Sequence, residues 1–282
     1  MRAIDLYYKL EKDFITNEMN DTWAIFMTKL DCYLSKNFKE RSMGLVCDFT
    51  NEIEKVYCAV FPTKEVLKSI IDDGVKNSML FLHHPSIWDI RGEKSFYQMD
   101  KELIEKFKEN KISIYNLHVP LDNFGEYSTS KTLADILDIE IEKPFKNYCG
   151  ALSGVIGKTA CKTMEELHNK FSKVLGHDTK LYLYGNNHIK DERVAIVAGG
   201  GNSIETAKEM IENNVNILIT GVSINNKKYS EVHEFEEKNH INILGGTHYS
   251  TEKFACQKMC IYFQNLGIPS CFIEGEPVYE DM

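Results

Sequence analysis

The sequence predicts an α/β protein of two similar halves, each a mixed, mostly parallel sheet flanked by helices. Three observations carry the fold class. Short Val/Ile/Leu-rich runs alternate with amphipathic segments along most of the 282 residues, as expected of strands covered on both faces by crossover helices. That length accommodates one large domain or two smaller ones. A faint repeat runs through it: Phe107–His118 (FKENKISIYNLH) parallels Phe235–His248 (FEEKNHINILGGTH), and upstream Ile71-Asp-Asp-Gly-Val75 parallels Ile211-Glu-Asn-Asn-Val215. We therefore expect a first half over residues 1–145, N-terminal helices included, and a second over 146–282, interlocked closely enough to behave as one structural domain.

Taken in order, residues 1 to about 38 read as two helices, the second over Asp21 to Leu34, where Trp23, Phe26, Leu30 and Tyr33 recur at helical spacing. Lys55–Phe61 (KVYCAVF) reads as a buried strand, and Thr63 starts a helix that ends at Asp73-Gly74. Ser78–Leu82 is the next strand, followed by a charged helix Lys101–Asn110, a strand Ile112–Leu117 and a helix Ser130–Leu137. The second half begins with strand SGVIGK and helix TMEELHNKFSKVLG, then strands KLYLYG and RVAIVAGGG. It continues with helix Ile204–Asn213, strand VNILITG, helix Glu231–Asn239, strand INILGG and a final helix.

Composition excludes several classes of function. Hydrophobic residues at 43% and charged residues at 27% are globular values. A net charge of -9 argues against a grip on nucleic acid, which needs clustered Lys and Arg. MRAIDLYYKLEKDF interrupts its apolar positions with charges, unlike a signal peptide, and no run approaches the ~18 apolar residues of a spanning helix. A cytoplasmic protein without membrane contact is expected. The eight scattered cysteines form no C-x-x-C pair and read as reduced, mostly buried thiols. Cys256 and Cys260, four apart on a helix, read as packing residues, because a structural zinc site wants four ligands.

The chemistry sits where strands end. FLHHPSIWD places His83 and His84 directly after Leu82, and Pro85 turns the backbone away. His118-Val-Pro-Leu-Asp122 and His248-Tyr-Ser-Thr-Glu252 each place a carboxylate four residues after a histidine. In the second, Thr247 or Ser250 caps a helix whose face carries Glu252, Ala255, Met259 and Tyr262. Ligands in open α/β sheets collect at carboxyl ends of strands, and imidazole and carboxylate together suit divalent first-row metals. So many donors fit two ions about 3.5 to 4 Å apart. His168, His177, His188, His233 and His240 lack such partners and read as solvated, His233 least clearly because it falls near the loop after Thr220-Gly221. The turn Gly199-Gly200-Gly201-Asn202 lacks both the dinucleotide and the P-loop patterns and reads as a tight turn before an anion site.

MGLVCDFTNEIEKVYCAVFPTKEV, FLHHPSIWD, LHVPLDNFGEYSTSKTLADIL, SGVIGK, RVAIVAGGGNSIETA, NILITG and GGTHYSTE resemble, in order and spacing, the Nif-three-like dinuclear metal-centre family, also called GTP cyclohydrolase I type 2 homologues. The resemblance spans roughly residues 43 to 266. It implies two α/β halves across a two-metal site and a ring-shaped homohexamer. It further implies His83, His84, Asp122, His248 and Glu252 as ligands of two divalent ions (zinc, iron or manganese), with Glu252 bridging. His118 matches a histidine on the substrate side, a general base or acid by its chemistry. The implied activity is metal-dependent hydrolysis of a small molecule, a nucleotide or phosphoester. The alternative is a non-catalytic metal-binding regulatory or interaction protein. Three positions depart from the family: Glu40-Arg-Ser-Met-Gly-Leu45 replaces Trp-Asp-Asn-Val-Gly-Leu, Val222 replaces an acidic residue after Thr-Gly, and Gly199-Gly-Gly-Asn202 replaces Gly-Gly-Ser-Gly.

Overall fold

The computed structural model describes residues 1–282. The chain forms two compact units, Met1–Leu121 with Cys149–Ala151 and Cys256–Glu276, and Asp122–Tyr148 with Leu152–Ala255 and Pro277–Met282. Membership departs from an even division at residue 145 for reasons of pairing. Ser270–Phe272 returns to lie parallel to Lys55–Ala59 in the first unit. Glu140–Tyr148 pairs within the sheet of the second.

The first unit holds a five-stranded sheet in the order Gly44–Cys47, Ile112–Asn116, Ser78–Leu82, Lys55–Ala59, Ser270–Phe272. All neighbours are parallel except Gly44–Cys47, which runs antiparallel at the edge. Ser78–Leu82 and Ile112–Asn116 are buried at every residue, as expected of central strands covered on both faces. Thr63 caps helix Lys64–Asp73 by accepting from Val66 N, and Gly74 ends it in the left-handed region at φ 72°. Asp100 caps Lys101–Glu109 by accepting from Glu102 N and Leu103 N. The helices press Leu67, Ile70, Ile104 and Phe107 onto Leu80 and Ile114. Register keeps the strand ends level, with Leu82 facing Ala59 and Asn116. The ladder then continues past them, His83 N donating to Ala59 O, His84 N to Val60 O and Leu117 N to Leu82 O.

The expected helix over Asp21–Leu34 is instead two single turns of 3-10 helix, Trp23–Phe26 and Thr28–Leu30, with a helix following at Lys36–Arg41. Trp23 and Leu30 are buried as the spacing requires, whereas Phe26 is exposed. A stripe of apolar residues fixes which side chains go inward, and a 3-10 turn presents nearly the same stripe.

The second unit holds a six-stranded sheet in the order Glu140–Tyr148, Ala151–Lys158, Arg193–Val197, Ile217–Thr220, Asn242–Gly245, Lys180–Tyr182. Arg193–Val197, Ile217–Thr220 and Asn242–Gly245 are parallel, flanked by antiparallel Ala151–Lys158 and Lys180–Tyr182. Phe171 and Leu167 of helix Met164–Leu175 pack on Ile196, Ile219 and Leu244. Phe171→Ala should therefore cost about 3–5 kcal/mol of stability. Urea unfolding followed by circular dichroism reads this as a lower midpoint with an unchanged slope.

Candidate metal centre

In the first unit three imidazoles gather just beyond the strand ends. His83, His84 and His118 are all buried, and one ring nitrogen from each lies within 4.8 Å of the other two. His83 Nδ1 is 3.1 Å from Leu117 O. A carbonyl only accepts, so Nδ1 carries the proton and Nε2 the lone pair. Asn116 Nδ2 donates to His83 O and holds the backbone at the turn. His84 stacks on Phe61, ring centroids 4.7 Å apart and planes at 17°. The His83 and His84 rings are inclined at 69° to each other, so neighbours in sequence present their nitrogens in different directions.

His118 is held by two residues that no motif indicated. Asp21 Oδ2 lies 2.8 Å from His118 Nδ1, and Trp23 Nε1 lies 3.1 Å from the same nitrogen. An indole N–H only donates and a carboxylate only accepts, so Nδ1 serves one of them in each tautomer. The charge-assisted bond to Asp21 is the stronger. It puts the proton on Nδ1 and the lone pair on Nε2, the carboxylate–histidine arrangement that orients metal-binding imidazoles. His118 thus stands among the candidate nitrogen ligands as well as among the candidate bases.

In the second unit His248 opens helix His248–Asn265. Its backbone N–H donates to Asp281 Oδ2 at 2.8 Å, and Thr247 Oγ1 accepts from Ser250 N at 3.1 Å, so the expected cap is present. One turn later, Glu252 Oε1 is 3.2 Å from His248 Nε2. Carboxylate oxygens of Glu252 and Asp122 lie within 4.8 Å of each other, and Thr129 Oγ1 donates to Asp122 Oδ1 at 2.7 Å. Gly199 makes the close approach possible. At φ +69°, a Cβ there would sit 2.1 Å from Glu252 Oε1 and 3.0 Å from His248 Nε2. Two N–H groups of the glycine turn are turned inward to side chains, Gly199 N donating to Thr251 Oγ1 and Gly201 N to Thr220 Oγ1.

The remaining histidines do not all meet the solvated expectation. His188 and His240 are exposed, while His168 and His177 are half-buried and bonded to Thr179 O and Ser250 Oγ. His233 is buried, 2% exposed, with Glu236 Oε2 3.8 Å from its Nδ1. The acidic partner stands three residues on, one helical turn away within helix Ser230–Lys238, and not beyond a strand end. All eight cysteines are free thiols.

A family model described as Duf34/NIF3 (NGG1p interacting factor 3) matches residues 23–277. The chain belongs to the NIF3 family. A GTP cyclohydrolase 1 type 2 homolog of Borreliella burgdorferi is 27% identical over 262 residues, 92% of each chain. One from Pyrococcus abyssi is 28% identical over 254 residues, 87% of this chain and 95% of that one. Among solved structures, the protein ybgI, described as of unknown function, superposes with a TM-score of 0.75 at 17% identity, over 98% of this chain and all of that one. Reduced HcgD from Methanocaldococcus jannaschii gives 0.68 at 21% identity, over 98% of both. At such identity the structures establish the NIF3 fold. The donors fit divalent ions on this chain's own geometry: buried imidazoles and carboxylates only, with a glycine cut away where Glu252 needs room. No helix is long and apolar enough to cross a membrane.

Two outcomes are expected of this NIF3 protein. Gly199→Ala should weaken zinc binding at least ~10-fold, as displaced ligands do, in a titration against a chromophoric chelator; unchanged affinity would contradict the cradle. In Asp21→Asn, nitrogen-15 spectra of the imidazoles should show His118 shifting its proton from Nδ1 towards Nε2, with Trp23 taking over as donor.

Proposed function

We propose that the chain is a metal-dependent hydrolase with two divalent ions held by His83, His84, Asp122, His248 and Glu252. The observation that carries this reading is Glu252, a buried carboxylate with both Asp122 and His248 at ligand spacing. It is the natural bridge. Two ions, when bound, would activate a water and offset negative charge developing on the attacked centre.

The chain's own residues would do the rest. Asp21 fixes the His118 tautomer, leaving Nε2 to take a proton from the attacking water and return it to the leaving group. Phe61 and Trp23 wall the imidazoles and limit competing solvent. A nucleotide substrate is favoured by the name the relatives carry, GTP cyclohydrolase 1 type 2 homolog; a phosphoester suits the same donors. Zinc, iron and manganese all accept this ligand set. The resemblance supports a ring-shaped homohexamer, and the reduced thiols support a cytoplasmic setting.

The test is incubation of metal-loaded and metal-stripped protein with GTP and with simple phosphoesters. Turnover of at least one, only when loaded, is expected. His118→Asn should lower kcat by roughly 10²- to 10³-fold, the scale of a lost general base, while metal content stays unchanged. No metal-dependent turnover of either substrate class would replace this reading with the non-catalytic one, a metal-binding regulatory or interaction protein. That alternative draws on Val222, a buried apolar residue where the resemblance leads one to expect an acid.

A further inference from the structure

A second buried polar cluster lies within the second unit, on residues the proposed centre does not use. Glu236, in helix Ser230–Lys238, is 0% exposed, and neither carboxylate oxygen makes a hydrogen bond. Asn202, closing the glycine turn, lies beside that carboxyl short of good bonding geometry. It is 8% exposed, and neither its Oδ1 nor its Nδ2 is satisfied. Buried polar atoms in native proteins nearly always have partners. Four orphans on two facing side chains point to a ligand.

Its chemistry follows from the donors. Two titratable groups face the Glu236 carboxyl, Tyr184 and His233; His233 Nδ1 is 3.8 Å away, but both nitrogens of that ring are engaged. Nε2–H donates to Ile224 O at 3.2 Å, and Nδ1 accepts from Tyr184 Oη at 2.8 Å, so the ring stays neutral, as its burial also favours. No charged side chain of the neighbouring helix Ile204–Glu212 acts on the carboxyl. What remains is oxygen: Glu236 Oε1 and Oε2 with Asn202 Oδ1, hard donors for a hard cation. One carboxylate balances one positive charge. A divalent ion would leave a buried excess.

We propose that Glu236 and Asn202 bind an alkali-metal cation. With only a proton to balance it, burial pushes the Glu236 carboxyl up to about 8, so cation and proton compete and the cation gains as pH rises past that value. Asn202 lies three residues after Gly199, where any Cβ would meet Glu252, so the cation would also order the turn beside that carboxylate.

The test is thermal unfolding of the full chain at about pH 8.5, divalent ions removed with a tetramethylammonium chelator, in ~0.15 M tetramethylammonium, lithium, sodium or potassium chloride. Because divalent ions are absent, the outcome is independent of the proposed hydrolase centre. Wild type should melt about 3 °C higher in at least one alkali chloride. Glu236→Gln should lose that increment and melt no lower than wild type in tetramethylammonium; Asn202→Ala should reduce the increment. Equal melting of wild type in all four salts, or a full increment in Glu236→Gln, would overturn the proposal. Should Glu236→Gln not fold, thallium-205 resonance of the wild type decides: a bound signal displaced by potassium supports the site, and a free signal alone refutes it.

Discussion

Two carboxylates, Asp122 and Glu252, are buried with oxygens within 4.8 Å of each other, and the rest of the site answers to that repulsion. Two like charges at this separation oppose each other by about 3 kcal/mol even at an effective dielectric of about 20. Burial adds the loss of hydration. Thr129 donates to one carboxylate, but a hydroxyl cannot neutralise a charge. A divalent cation would supply the positive charge that a hydroxyl cannot. Held by both carboxylates, it would turn the repulsion into binding energy.

The backbone prepares for it before any side chain is considered. Parallel strands kept level by register deliver their following residues to one rim in each sheet. In the first unit that rim carries imidazoles, with Leu117 O fixing the tautomer of one and Asp21 that of another. In the second it carries the start of helix His248–Asn265, with Thr247 and Asp281 tying down the backbone next to His248. Gly199 has no alternative residue at its position without moving Glu252. Rigid support of this kind separates a ligand set from a chance cluster of histidines.

The sequence made the donors visible because they follow strands of unmistakable hydrophobicity, and because His-x-x-x-Glu on a helix start can only mean a shared face. Thr63 and Gly74 marked helix ends by the same local logic. What stayed hidden depends on distant or context-bound contacts. Asp21 meets His118 across 97 positions, and nothing local announces such a pair. The 3-10 turns of Trp23–Leu30 share the apolar stripe of a helix. Strand Glu140–Tyr148 buries Phe145 alone and carries Pro144, tolerated because the strand is a sheet edge. Glu236 looks like a surface residue of a charged helix until its burial is known.

The proposed hydrolase requires cations, and not protons, to balance the buried carboxylates. Anomalous diffraction from crystals of the metal-loaded protein, recorded at the absorption edge of the ion found by elemental analysis, tests that requirement most directly. Two peaks are expected for each chain, both within coordination distance of Glu252. A single peak, or peaks remote from Glu252 at full loading, would contradict it.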